Sequence, residues 1–285
     1  MISVNRNMPA RYRGILACCL IAILAVPGVL NAEDQKEAKL SFAITEGELL
    51  NYQTSWAMEY YYMGMDIVQN QSYDVEMKLT KVTEDGNYLV SLAFTGASSS
   101  MVVDDDIQDW SPPMQLEGES IMVEVKSNGG VLNAKPGGNI PGMHSTDELK
   151  SIAEIWFIEL PDTVKRVGDS WRKNIEEGGG ETEDGEKREP NAKGFADLTF
   201  KKIEKRKGIP VAVIEVESKL EINQAMPGGI LRGKGEGSGR YYIAIEGGYI
   251  VEGKSEFELK GKVVSDDGKE TDTAITRYYE TKLKK

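Results

Sequence analysis

Apolar and polar residues alternate with period two along much of this chain. The alternation runs from residue 73 to residue 82, a polar turn follows at 84–87, and an apolar-rich segment at 88–94 returns. Such alternation is typical of an antiparallel hairpin with one buried face and one face in water. The sequence therefore predicts a hairpin here.

The same pattern recurs in the second half of the chain. Segments 195–203 and 211–217 flank the polar turn 204–208, and three longer segments follow at 231–245, 249–264 and 271–282. Residues 116–132 align by eye with residues 231–250, which indicates a tandem duplication of a β-meander. The alternative is two unrelated meanders that share turn chemistry.

One segment has helical spacing. Residues 145–148 offer an N-cap followed by acids, and apolar residues then recur at 149, 152, 153, 156 and 157. Pro161 ends the pattern. We expect a helix over 145–158, buried against the sheet, where it would plug a concave surface.

These elements predict a mainly antiparallel β protein of the α+β class. We expect a curved sheet or half-barrel that is built from two β-meander repeats with one central helix. The predicted divisions are a signal peptide at 1–32, a first repeat at 33–144, the helix at 145–158 and a second repeat at 159–285. The two repeats and the helix would form one compact domain.

The N-terminus has the order of regions of a secretory signal. Three arginines and no acidic residue precede an apolar stretch from residue 15 to 30, which ends in Asn31-Ala32. Cleavage after Ala32 would leave an exported protein, periplasmic or elsewhere in the cell envelope or outside it, without an integral membrane span. An uncleaved anchor or lipidation at Cys19 are the alternatives, but the stretch is shorter than the roughly 20 residues of a spanning helix.

Cysteine use and charge limit the partners. Cys18 and Cys19 are the two cysteines, and both lie in the signal. The mature chain would therefore have no disulfide and no thiolate metal site. The formal net charge of −12 disfavours nucleic acid, because phosphates repel an acidic surface.

No catalytic constellation is visible in the sequence. The one histidine, His144, precedes the predicted helix, and a nucleophilic triad would need it as a base. Asp104, Asp105, Asp106 and Asp109 lack the ligand spacing of a calcium loop. We therefore expect no enzyme, no metal and no cofactor, with an acid-pair hydrolase as a remote alternative.

Two apolar features suggest a binding surface. Glycines at 233, 235, 237 and 239 leave one face of a strand bare, which favours close approach by the helix or by a ligand chain. The segment 56–65 is dense in aromatic residues and methionine, which adapt to apolar ligands but also serve as core. The candidate lining residues are Trp56, Tyr60, Tyr62, Met63, Trp156, Phe157 and Tyr241.

Residues 160–171 stand out beyond periodicity, through Pro161, Gly168 and Trp171. Together with the glycine strand and the Gly247-Gly248 turn, this segment resembles an uncharacterised group of bacterial exported proteins and lipoproteins, the DUF6263 type. In that group a similar element follows a central helix and opens the second half. The resemblance implies a curved antiparallel half-barrel and no transferable catalytic residue.

The sequence thus predicts a non-enzymatic binding protein of the cell envelope. An apolar or lipid-like ligand, or another envelope protein, would be its partner, held in the concave sheet. The alternative is a surface or structural interaction module that uses the acidic loops at 104–113 and 176–191.

Overall fold

The computed structural model describes residues 36–62, 64–108, 111–112, 114–143, 146–177, 180–181, 187–188, 191–226 and 229–284. The predicted signal peptide and His144 lie outside them. Within these residues the first half of the chain forms strands β1 (Glu37–Ala38), β2 (Leu49–Tyr62), β3 (Met65–Val82), β4 (Tyr88–Val103), β5 (Asp106–Gln108), β6 (Ser120–Val125) and β7 (Val131–Pro136). Helix α1 (Thr146–Ala153) follows. The second half forms β8 (Lys165–Arg166), β9 (Ser170–Glu177), β10 (Gly180–Glu181), β11 (Lys187–Arg188), β12 (Ala192–Arg206), β13 (Ile209–Met226), β14 (Gly229–Ala244), β15 (Ile250–Ser265) and β16 (Glu270–Leu283).

Twelve strands form one antiparallel sheet that does not close into a barrel. Its order is β7-β6-β4-β3-β2-β16-β15-β14-β13-β12-β9, with β5 beside β4. The two-stranded pairs β1-β8 and β10-β11 stand outside it. The predicted fold class, mainly antiparallel β with one helix, is confirmed.

The two halves of the chain meet where β2 pairs with β16. Tyr52 lies opposite Leu283, and Trp56 lies opposite Tyr279. The chain runs outward from β2 to β7, crosses through α1 to β9 at the other edge, and returns to β16. One continuous sheet therefore spans both halves, and the duplication stays a prediction.

The two faces of the sheet differ in character. Apart from the half-buried Gln69, alternate residues of β3 from Ile67 to Leu79 are buried, as side chains that point to opposite faces of a strand require. We call the face that carries Tyr52, Val75 and, through the strand pairing, Tyr241 the core face, and the opposite one the outer face. The outer face carries most of the charged side chains.

The main core lies between the core face of the first half and the helix. Trp156 packs edge-on against Phe94, with ring centroids 5.8 Å apart, and Phe42 packs against Phe157 at 5.3 Å. A second cluster joins Leu40 and Leu160 to the core face of the second half. The N-terminal segment and the chain after α1 thus cover both halves of the sheet.

Helix α1 is shorter than predicted, because tertiary contacts replace its last turns. The Trp156 amide donates to the Ala153 carbonyl three residues back. The Leu160 amide then donates to the Asn128 carbonyl, in the turn that links β6 and β7. Residues 154–160 therefore leave the helix to dock on that turn, well before Pro161.

The glycine stripe of β14 lies on the core face, but its neighbour is a side chain of the sheet. A Cβ on Gly235 would collide with the ring of Phe257 on the adjacent strand, and one on Gly237 would approach the same ring. The helix instead packs against β6 and β7. The stripe therefore makes room for an aromatic ring.

Several predicted turns are present, and the strands beside them are longer than predicted. The β3-β4 turn covers residues 84–86, and the Ser265 and Lys269 backbones pair across the β15-β16 turn. Residues 204–208 do not form a loop; β12 continues to Arg206 and turns at Lys207 and Gly208, which have φ of 51° and 84°. The loop predicted over 176–191 includes the short β10-β11 pair, and the rest of it lies largely outside the described residues.

Candidate binding surfaces of the sheet

Two of the predicted lining residues are core. Trp156 is 1% exposed and Phe157 is 6% exposed, and both belong to the main hydrophobic cluster. Their side chains are enclosed by Phe42 and Phe94. The helical spacing that singled them out reflects packing against the sheet.

Three other predicted residues lie on the core face. Trp56 is half-buried and packs against the edge of the main cluster. The hydroxyl of Tyr60 accepts a hydrogen bond from Gln69 Nε2 at 3.1 Å, and partial burial raises the pKa of Tyr60. Tyr241 is half-buried beside the second cluster. The side chain of Tyr62 and all of Met63 lie outside the described residues.

A small cavity separates the end of the helix from the second half of the sheet. Its volume is about 230 Å³. Its walls combine the helix end with three strands, and its lining residues are Ser151, Glu154, Ile155, Tyr241, Gly253, Ser255, Tyr279 and Thr281. Burial there raises the pKa of Tyr241, so its hydroxyl stays neutral. The cavity is amphipathic, with aromatic rings and hydroxyl groups.

Beyond this cavity the core face continues as an apolar surface. Leu231, Leu259 and Val263 form a separate buried cluster on β14 and β15, and Ile222, Phe257 and Ile275 pack partly buried around it. On the other side of the β2-β16 pairing, Met58 and Tyr60 are half-buried, and the exposed Arg277 lies between Phe257 and Met58 on the same face. This surface, which we call the apolar extension, lies toward the hairpin ends of β2-β3, β13-β14 and β15-β16.

A wide concavity lies on the outer face. It has a volume of about 960 Å³ and crosses seven neighbouring strands, from β4 to β13. Two rows of cross-strand partners border it. The first row is Ser98, Ser72, Ser55, Glu280, Lys254, Arg240 and Glu215. The second row is Ser100, Asn70, Ala57, Tyr278, Glu256, Ser238 and Glu217.

We call this concavity the trough. The residues of its two rows alternate with core-face residues such as Trp56 and Tyr279, so their side chains point away from the helix. Residues between the rows contribute the floor. The trough and the apolar extension therefore lie on opposite faces of the same sheet.

The trough has two chemically different ends. Its β2-β4 end carries small side chains, most of them serines, and the hydroxyls of Ser72 and Ser98 are hydrogen-bonded at 2.8 Å. Its β13-β16 end carries ion pairs: Arg240 Nη2 lies 2.5 Å from Glu215 Oε1, and Lys254 Nζ lies 2.7 Å from Glu280 Oε1.

The ion pairs shift the pKa values of the groups in the trough. Hydrogen bonds from Arg240 and Lys201 lower the pKa of Glu215. Hydrogen bonds from Lys254 and Lys282 lower the pKa of Glu280. These carboxylates are therefore ionised and paired at neutral pH.

Sequence reasoning missed the trough, although a signal for it is present. Ser98, Ser99 and Ser100 follow one another in the middle of β4, where residues with high β propensity are expected. Such a run of serines indicates a strand surface built for something other than packing. The partners of these serines come from strands far away in the sequence, so only the pairing shows the whole surface.

The part of the chain that the structure describes has neither a candidate metal cluster nor a candidate membrane-spanning helix. It contains no group of three or more His, Cys, Asp or Glu side chains that could hold a metal ion. A search of the same residues for a helix of the length and apolar character of a membrane span gives none.

Comparisons with known proteins do not identify a family for this chain. No family model matches the chain, and no curated protein matches it. Four chains of solved structures match, among them one described as "lipid-protein interactions in lipovitellin", with a TM-score of 0.49 and 10% sequence identity. The match covers 85% of this chain and 26% of that one, so this chain spans about a quarter of the other's length. A likeness of this degree says nothing about the ligand.

Proposed function

We propose that this chain is an exported, non-enzymatic binding protein of the bacterial cell envelope, of the DUF6263 type, and that it holds an apolar or lipid-like ligand on the core face of its sheet. The N-terminal signal pattern supports export. The observation that carries the ligand proposal is the apolar extension beyond the helix.

The apolar extension has the composition of a lipid-binding surface. Phe257 and Ile275 are only partly buried around the Leu259 cluster, and Met58 and Tyr60 are half-buried across the β2-β16 pairing. The apolar side chains are contiguous across the strands in the row of Leu259, Ile275 and Tyr60, and an exposed apolar patch marks an interaction site. Methionine and aromatic side chains also adapt to acyl chains of variable shape.

The cavity at the end of the helix gives this surface a polar end. Tyr241 and Tyr279 border it, with Ser255 and Thr281 between them and Ile155 from the helix side. An amphiphile that lies along the core face would place its chain on the apolar extension. Its polar group would then reach the hydroxyls around Tyr241.

The test is to purify the mature protein gently and record its native mass, then to titrate it with a fluorescent fatty acid. Ile275→Glu places a charge on the apolar extension, and Thr276→Glu places the same charge one residue away, on the outer face. We expect a co-purified acyl species and at least a roughly tenfold loss of affinity in Ile275→Glu alone. Thermal unfolding checks that each variant is folded, and Met58→Lys repeats the test from a neighbouring strand.

A clean apo mass together with no uptake of the fluorescent fatty acid would contradict the proposal. Equal binding by Ile275→Glu and Thr276→Glu would also contradict it, because the ligand would then lie elsewhere.

A second candidate function rests on the β4-β5 hairpin. Ile107 is 83% exposed there, beside the acidic turn formed by Asp104 and Asp105. We propose that this acidic hairpin end, with Ile107 beside it, contacts another envelope protein. Ile107→Ser should abolish capture of such a partner by crosslinking in the envelope, and it should leave fatty-acid uptake unchanged.

A further inference from the structure

We propose that the trough on the outer face is a second binding site, and that it takes a neutral, linear oligosaccharide chain. This goes beyond the proposed function, because the trough lies on the face opposite the apolar extension.

The shape is that of an open channel that crosses the strands. Seven strands border it, and neighbouring strands lie about 4.8 Å apart, so it extends for roughly 29 Å. Its volume of about 960 Å³ lies at the upper end of the range for small-molecule sites, about 300–1,000 Å³. An extended chain fits this space better than a compact molecule does.

The small side chains supply hydrogen bonds without filling the space. The β2-β4 end presents serine hydroxyls and the amide of Asn70. A hydroxyl both donates and accepts, and an amide side chain offers two donors and an acceptor. Sugar hydroxyls have the same dual character, so each can find a partner in either direction.

The charges at the other end are largely neutralised within the protein. Glu215 is paired with Arg240 and Lys201, and Glu280 is paired with Lys254 and Lys282. Glu217 and Glu256 add negative charge to the lining. Four carboxylates and two cations line the trough itself, so an anionic chain is disfavoured. The paired carboxylates still have lone pairs that accept hydrogen bonds from a neutral ligand.

Tyr278 provides an aromatic surface among these polar groups. It lies between Ala57 and Glu256 in its row, so the small Ala57 leaves space beside its ring. Partial burial and the neighbouring Glu59 and Glu256 carboxylates raise the pKa of Tyr278, which keeps its hydroxyl protonated. An aromatic body with a polar tip suits a sugar ring, which has apolar C–H faces and a polar rim.

Two other ligand classes fit the trough less well. An acyl chain would strip water from serines and ion pairs and return no hydrogen bonds. An extended peptide binds a sheet through free backbone groups at an edge strand. Such a peptide would run along an edge strand, whereas the trough crosses the strands, and six of the seven strands that border it are paired on both sides there.

The experiment titrates the mature protein with neutral linear hexasaccharides of glucose, mannose, galactose, xylose and N-acetylglucosamine, followed by calorimetry. Two variants alter the trough: Tyr278→Ala removes its ring, and Asn70→Trp fills its β2-β4 end. Two matched controls lie on the outer face further from the two rows: Tyr61→Ala and Asn51→Trp. We expect at least one hexasaccharide to bind with a Kd below about 1 mM, and each trough variant to weaken binding at least tenfold.

The controls should bind as the unaltered protein does. Failure of every hexasaccharide to bind at about 10 mM would overturn the proposal. Binding that survives both trough variants, or a preference for anionic chains or peptides over the neutral sugars, would overturn it as well. Fatty-acid uptake, measured on the same variants, should be unchanged, so failure here and failure of the lipid proposal are distinguishable.

Discussion

The ring of Phe257 on β15 occupies the space that a side chain on Gly235 of β14 would need. All three atoms nearest to a Cβ on Gly235 belong to that ring. Phe257 can lie there because Gly237 is also bare and Leu259 continues the apolar cluster next to it. The glycine stripe is thus one half of a packing pair between two adjacent strands.

Gly235→Ala should therefore destabilise the protein. An added methyl group displaces Phe257 from its position, and such overpacking costs about 1–3 kcal/mol. Without the collision the same change would stabilise the chain slightly, because alanine restricts the unfolded state. Urea unfolding measures the difference, with Ser238→Ala on the outer face of the same strand as control.

The double variant Gly235→Ala/Phe257→Ala makes this prediction specific. Removing the ring removes the collision. The double variant should therefore lose less unfolding free energy than the two single variants lose together. A Gly235→Ala variant as stable as the unaltered protein would show that the ring does not need this space.

The fold could be predicted well from the sequence because its determinants are local. Period-two alternation gave β3, β4 and the five long strands β12–β16, and helical spacing with a cap gave the one helix. The predicted end of the helix was wrong because the Leu160 amide donates a hydrogen bond to the Asn128 carbonyl, a contact that no local pattern shows. The predicted strands were shorter than the observed ones because apolar and polar residues alternate less regularly near the hairpin ends.

The candidate sites could be predicted only in part. Trp156 and Trp56 look alike in the sequence, as aromatics in apolar surroundings, but one is core and the other lies at the edge of a surface. The trough depends on rows such as Ser98, Ser72 and Ser55, which come together through the register of three strands. Register is a property of the whole sheet, so single-segment reasoning could not supply it.

Trp156→Ala separates a core role from a ligand-lining role. Trp156 is 1% exposed and packs against Phe94, so the change should cost about 3–5 kcal/mol of unfolding free energy. Trp56→Ala, at a half-buried position, should cost clearly less. A Trp156→Ala variant that keeps its stability and loses fatty-acid uptake would place Trp156 in the ligand site instead.

Tyr52→Phe should stabilise the protein. The Tyr52 side chain is 0% exposed, and among the described residues its hydroxyl has no hydrogen-bond partner. Removing a buried, unpaired hydroxyl should raise the unfolding free energy by about 1 kcal/mol. Chemical denaturation at neutral pH measures this, and a loss of stability would show that the hydroxyl is satisfied, for example by water.

The same variant should also change the response to alkali. Burial, and then the nearby Tyr249 and Glu48, raise the pKa of Tyr52 far above its ordinary value of 10.0. Folding thus favours the neutral phenol over the ionised one. The contribution of this preference to the unfolding free energy is fully present below pH 10 and declines above it, where Tyr52 of the unfolded chain ionises. The advantage of Tyr52→Phe should therefore grow above pH 10, and a constant difference between pH 8 and pH 11 would contradict the assignment.

Glu215 in the trough should confer the opposite pH dependence. Its pKa lies below the ordinary 4.5 because Arg240 and Lys201 hydrogen-bond to the carboxylate. The ionised form is favoured by folding, so its contribution is complete above pH 4.5 and is lost as the pH falls through the lowered pKa. Glu215→Gln should therefore lower the thermal midpoint slightly at pH 7 and by less at pH 3.

Two controls test whether the effect comes from the ion pair. Since the pair is exposed, salt should reduce the effect of Glu215→Gln. Arg240→Gln should have the same effect, and the double variant should show no further loss. A Glu215 carboxyl that titrates at 4.5 or above by NMR would show that this ion pair does not form in solution.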